Sequence, residues 1–133
     1  MSIFRNSTKD VSDPFVEVFL VNTSRSWYRK ILQTEVISDN LDPIWNAHYI
    51  EEICDFADEI LFQIWDKDFY TSNEMIGDIK IPIAPLIVGQ IVKGTFPISL
   101  AKNFESKAGV PTLTFRVEFQ AADKVDKILE GLQ

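Results

Sequence analysis

Residues Thr112–Phe119 read TLTFRVEF, with Leu113, Phe115, Val117 and Phe119 alternating strictly with Thr112, Thr114, Arg116 and Glu118. A period of two places alternate side chains on opposite faces of an extended strand, one face in a core and one in water. Half-wet strands of this kind belong to antiparallel sheets, and the apolar face needs a second layer to cover it. Upstream, six more short runs rich in Val, Ile and Phe end on turn residues: Pro14–Val21, Ile31–Ile37, Trp45–Ile50, Glu59–Trp65, Met75–Ile83 and Gly94–Leu100. The expected fold is therefore all-β, a sandwich of antiparallel sheets.

At 133 residues and 46% hydrophobic, the chain has material for one compact domain with a single core. That domain is expected over residues 1–120, with a separate C-terminal piece over 121–133. There, Val125, Ile128, Leu129 and Leu132 fall at helical spacing and Asp123 lies in the first turn, predicting a short amphipathic helix or linker. A second helical turn is expected at Ile83–Val92, weakened by Gly89. A helix as short as the tail is marginal alone, so it should dock, either on the domain or on a partner chain.

The formal net charge is −7 and the isoelectric point about 4.6, the wrong balance for a protein that neutralises nucleic-acid phosphates. Nucleic acid is not an expected partner. The single Cys54 makes neither an internal disulfide nor a thiolate metal cluster. The N-terminus lacks a secretory pattern and no apolar run is long enough to span a bilayer, so the expected location is cytoplasmic.

Acids concentrate at the strand boundaries: Asp10 and Asp13 before the first run, Asp39 and Asp42 after the second, and Asp66, Asp68 and Glu74 after the run ending at Trp65. In a sandwich every second connection emerges at the same end, so these three loops can meet. Like charges a few ångströms apart repel by roughly 4 kcal/mol per pair near a protein surface. A hard cation with oxygen ligands relieves this, and calcium tolerates an irregular cage better than magnesium does. Taken singly, each acid has a simpler reading as a solvated loop or turn residue. An EF-hand beginning at Asp66 fails, because Tyr70, Thr71 and Gly77 occupy its fifth, sixth and twelfth positions. Nothing in the chain supplies a nucleophile elbow, a phosphate-cradling glycine loop or a second histidine beside His48, and no enzyme is expected.

Four stretches in order, Ser12–Val18 (SDPFVEV), Asn40–Asn46 (NLDPIWN), Leu61–Asp68 (LFQIWDKD) and Met75–Gly77 (MIG), resemble the signatures of the C2 domain. Gln33–Ile37, with Leu86–Val88 and Gln90–Val92, is further similar to the first C2 domains of copines. The resemblance covers about residues 10–119 and implies an eight-stranded Greek-key sandwich with calcium-binding loops at one end. It also implies Ca2+-dependent, reversible docking onto anionic phospholipid membranes. Asp13 matches the second aspartate of the family's first loop, and Asp66 and Asp68 match the DxD of the third. Glu74 stands where a further Asp is usual. The first loop's earlier aspartate is replaced by Ser7, a departure that Asp10 or Asp39 would have to make good. A second departure is that only Met1–Arg5 precedes this loop, so the first strand is expected to be short or missing. A missing strand leaves a sheet edge open to a protein partner or to a homodimer.

The resemblance makes Phe69 and Tyr70, between the acids, the candidates for membrane insertion, each burial contributing about 1.5–3 kcal/mol. Packing on the sandwich rim is the competing reading for both. Arg25, Arg29 and Lys30 are candidate headgroup contacts, although each cation near an anionic surface adds only about 1 kcal/mol. Trp45 and Trp65 are expected in the core. The alternative function is a calcium-independent protein-interaction module with a degenerate calcium site, and the chain is also compatible with being the targeting piece of a larger enzyme.

Overall fold

A computed structural model describes residues 13–38, 42–45, 47–50, 57–68, 72–83, 89–102, 104 and 109–119. The described residues form seven strands: β1 Pro14–Asn22, β2 Trp27–Gln33, β3 Glu59–Asp66, β4 Glu74–Pro82, β5 Ile91–Pro97, β6 Ser99–Leu100 and β7 Thr112–Glu118. All pair antiparallel, in a five-stranded sheet ordered β2-β1-β3-β4-β6 and a two-stranded sheet of β5 and β7. The expected first strand within Met1–Arg5 and the tail helix over 121–133 lie outside the described residues.

Alternation carries the core, as the sequence predicts. β1 turns Val16, Val18 and Leu20 inward, and β3 turns Ile60, Phe62 and Ile64 inward, opposite them in register. From the smaller sheet, Leu113 is buried, and Val92, Phe96, Phe115, Val117 and Phe119 pack against the same cluster. Phe115 stacks on Phe62 of the facing sheet at 4.4 Å between ring centroids, and on Phe96 of its neighbour at 4.6 Å. Offset aromatic pairs add to the area they bury, so this three-ring stack clamps one layer on the other.

Four expectations need correction. The second strand is Trp27–Gln33 rather than Ile31–Ile37. It begins after a turn in which Ser26 takes a positive φ of 51°, and a bulge at its pairing with Val18 and Phe19 lets polar Tyr28, Arg29 and Lys30 serve as an edge strand. Residues Thr34–Ile37 still track β1, with the Thr34 amide donating to Val16 O and the Ile37 amide to Pro14 O. Trp45–Ile50 is not a strand over its described residues: Tyr49 and Ile50 are consecutive and both exposed, so no sheet face organises them.

The run Gly94–Leu100 divides into parts of two strands in different sheets. Pro97 has no N–H to continue the ladder, and the Ile98 amide leaves it to donate to Pro111 O while the side chain stays 2% exposed between the layers. The chain therefore changes sheets at Ile98. Finally, Ile91 and Val92, expected in a helical turn, begin β5 after Gly89, whose φ is +90°.

Candidate functional site

The ladder itself gathers acids at one end of the five-stranded sheet. Asp66 is the last inward position of β3, following Ile60, Phe62 and Ile64. Its register partners are Pro14 on one side and Glu74 on the other, so Asp13, Asp66 and Glu74 fall in adjoining strands at the same end. Asp68 follows two residues later. Of the sequence-predicted metal ligands, these four are described; Ser7, Asp10 and Asp39 lie outside the described residues.

Asp66 is 6% exposed, an unusual place for a carboxylate. A buried charge needs hydrogen bonds, and the Asp13 amide donates to Asp66 Oδ1 at 2.9 Å. In return, the Lys67 amide donates to Asp13 O at 2.8 Å. This reciprocal pair ties the first acidic loop to the third. Asp68 is exposed, and its amide donates to Asn73 Oδ1 at 3.1 Å, closing the loop between β3 and β4 on itself. Sequence reasoning passed over Asn73; an asparagine in a short loop between acids is the signal that could have found it.

The donors are all hard carboxylate oxygens on three neighbouring segments, the chemistry that suits calcium. Among the described residues, however, no three His, Cys, Asp or Glu groups converge closely enough to hold a metal ion. The described acids share one end of the sheet. Phe69 and Tyr70 lie outside the described residues.

The candidate basic contacts do not form one surface. Arg25 lies in the turn between β1 and β2, where its amide donates to Asn22 Oδ1 at 3.0 Å. Arg29 and Lys30 are consecutive in β2 and so point to opposite faces. Lys30 pairs with Glu17 at 3.1 Å and donates to Gln33 Oε1 at 2.8 Å. Beside them, Phe19, Val21, Trp27, Tyr28 and Leu61 line an open groove of about 510 Å³. It lies at the end of β1 opposite Pro14, remote from the acids.

Trp45 and Trp65 are half-buried. Trp45 packs on the core and donates from Nε1 to Glu35 O. Trp65 stacks on Phe15 on the outer face, and its buried Nε1 has no acceptor among the described residues. No described helix is long and apolar enough to cross a membrane.

Comparison with known proteins agrees with this architecture. The chain is 27% identical over 126 residues to phospholipase D beta 1 of Arabidopsis thaliana, covering 95% of this chain and 11% of that protein. It is 33% identical over 96 residues to human C2 domain-containing protein 5, covering 67% of this chain and 9% of that one. It thus spans about a tenth of the length of these curated relatives. Among solved structures, human GIVD cytosolic phospholipase A2 matches with a TM-score of 0.62 at 16% identity, over 91% of this chain and 16% of that one. The C2 domain profile matches residues 4–98, and on that match the chain belongs to the C2 domain family.

Proposed function

We propose that the chain is a calcium-dependent membrane-docking module, which binds anionic phospholipid reversibly through the acidic end of the sandwich. The carrying observation is Asp66, a carboxylate continued from the core row, 6% exposed and braced by the Asp13 amide. The row that supplies Ile60, Phe62 and Ile64 to the core thus ends on a carboxylate, paired in register with Glu74 and two residues before Asp68. The names of the phospholipase D relatives are consistent with a lipid-facing role. A C2 domain is a binding module, and no catalysis is proposed for it.

In this reading Asp13, Asp66, Asp68 and Glu74 hold the ion, with Ser7, Asp10 and Asp39 as candidates to complete the shell. Bound calcium would supply positive charge and open positions for phosphate oxygens. Phe69 and Tyr70 would then enter the interface from the same loop. Arg25, Arg29 and Lys30 would add weak attraction at most, since Lys30 is already paired. Such docking is peripheral and fits a cytoplasmic protein.

One observation favours a second reading. The described acids do not converge into a three-ligand group, as expected of a calcium-independent protein-interaction module. Calcium titration by calorimetry, and sedimentation with phosphatidylserine vesicles with and without chelator, separate the two. We expect binding heat, calcium-dependent pelleting, and loss of both in the double variant Asp66→Asn, Asp68→Asn. A wild-type chain that gives no heat and pellets equally under both conditions would sink the calcium reading.

A further inference from the structure

The outer face of the two-stranded sheet carries a charge arrangement that the acidic end does not explain. Register fixes it: Lys93 lies directly opposite Arg116, Thr95 opposite Thr114, and Ile91 opposite Glu118. Alternation sends these pairs outward, because Val92, Phe96, Leu113, Phe115 and Val117 fill the inward positions. Two cations opposite one another across a ladder, with Cβ atoms about 5 Å apart, repel and destabilise the sheet. A chain of net charge −7 has acids to spare for such a position, yet places none there.

Glu118 takes one side of Arg116, at 3.3 Å, but the guanidinium side chain remains 56% exposed. Among the described residues no carboxylate pairs with Lys93. On the next rung the Thr95 and Thr114 hydroxyls are 2.8 Å apart. That bond uses one hydroxyl hydrogen and leaves the other free to donate outward. Two cations and a spare hydroxyl donor on adjoining rungs, about 7 Å apart, match a dianionic group with several acceptor oxygens.

We infer that the outer face of β5 and β7 is a calcium-independent docking surface for phosphomonoester lipid headgroups, held between Lys93 and Arg116 and bonded by the Thr95–Thr114 hydroxyl pair. A lipid source is favoured over free phosphate because Ile91, 42% exposed, stands on the same face two positions from Lys93. An apolar side chain beside cations suits the boundary between headgroups and acyl chains. The surface is distinct from the acidic end and does not depend on the calcium reading.

The test uses sedimentation in chelator with phosphatidylcholine vesicles doped with phosphatidic acid, against vesicles doped with phosphatidylserine to the same surface charge. Wild type should prefer the phosphatidic acid vesicles. Each cation beside an anionic surface is worth about fivefold in affinity, so Lys93→Gln should weaken binding about fivefold, and Lys93→Gln with Arg116→Gln further, up to roughly 25-fold, the Arg116 share being reduced by its pairing with Glu118. Lys93→Arg should retain it. The Asp66→Asn, Asp68→Asn variant should also retain it, so failure of the calcium reading leaves a separate signature. Failure of wild type to bind, equal binding by the double glutamine variant, or equal binding to both vesicle types would each overturn the proposal.

Discussion

Gly77 offers the sharpest test of the packing, because it lies where three strands meet. It pairs with Ile64 in β3 and Leu100 in β6. A Cβ added there would fall well inside contact distance of the Ser99 carbonyl oxygen and 2.6 Å from Ile98 Cγ2. Neither neighbour moves easily: one is backbone, and Ile98 is 2% exposed between the sheets. Overpacking a closed site costs about 1–3 kcal/mol, and this geometry calls for the upper end. Alanine recovers about 0.5–1 kcal/mol over glycine in a strand, leaving a net loss of about 2 kcal/mol for Gly77→Ala. With an unfolding entropy of about 2.1 cal/mol/K per residue, this lowers Tm by about 7 °C. Thermal unfolding followed by circular dichroism reads it directly. Relaxation could instead occur by release of β6, which has only two paired residues, and the Ala101 amide bonded to Ile76 O would then lose hydrogen-exchange protection. An unchanged Tm together with unchanged protection at Ala101 refutes the close approach.

Three further outcomes follow from single contacts. Asp66→Ala strands the Asp13 amide and should lose about 1–3 kcal/mol in chelator, whereas Asp66→Asn keeps an oxygen acceptor and should lose less than about 1 kcal/mol; denaturation midpoints of the two variants compare them. Trp65→Phe removes a buried donor that has no acceptor among the described residues and should be close to neutral, while Trp45→Phe breaks the bond to Glu35 O and should cost about 1 kcal/mol, a contrast that urea titration resolves. Phe115→Ala dismantles the inter-sheet ring stack and should cost about 3–5 kcal/mol, read as a large drop in the urea midpoint.

The legible parts of the fold were those where alternation and burial coincide. β1, β3, β4 and β7 run between two neighbours or face the core squarely, so their apolar residues mark the same positions that the ladder uses. Edge positions were not legible. In β2 the exposed run Tyr28, Arg29 and Lys30 has no apolar period, and its place is set by the turn at Ser26 and by pairing with β1. Trp45–Ile50 shows the reverse error, a strand-like composition without a sheet face. At Ile98 a single apolar run hid a change of sheet, because composition cannot tell which partner takes a residue's N–H. Of the candidate ligands that the C2 resemblance implies, Asp13, Asp66, Asp68 and Glu74 lie at one end of the sheet. Asn73 and the bond from the Asp13 amide to Asp66 were not found, since a backbone donor leaves no trace in the side-chain pattern.

The position of Asp66 has a further consequence for how the two acidic loops communicate. Asp66 is buried at the end of the strand that carries Ile64 and Phe62, so its backbone position is set by the core. Asp13 is joined to it through the backbone, by the amide donating to Asp66 Oδ1 and by Asp13 O accepting from the Lys67 amide. One bond is backbone to backbone and the other ends on the Asp66 carboxylate, so Asp13 is held against the end of β3 from both its amide and its carbonyl. Asp68 is steadied within its own loop, through the bond from its amide to Asn73 Oδ1. The end of the sheet therefore holds Asp13 and Asp66 braced on each other, and Asp68 on a segment bonded through Asn73. On the proposed calcium reading, Asn73→Ala, which removes the acceptor of the Asp68 amide, should weaken calcium binding in calorimetry while leaving chelator stability within about 0.5 kcal/mol of wild type. Unchanged calcium affinity in that variant would refute a role for this bond in positioning Asp68.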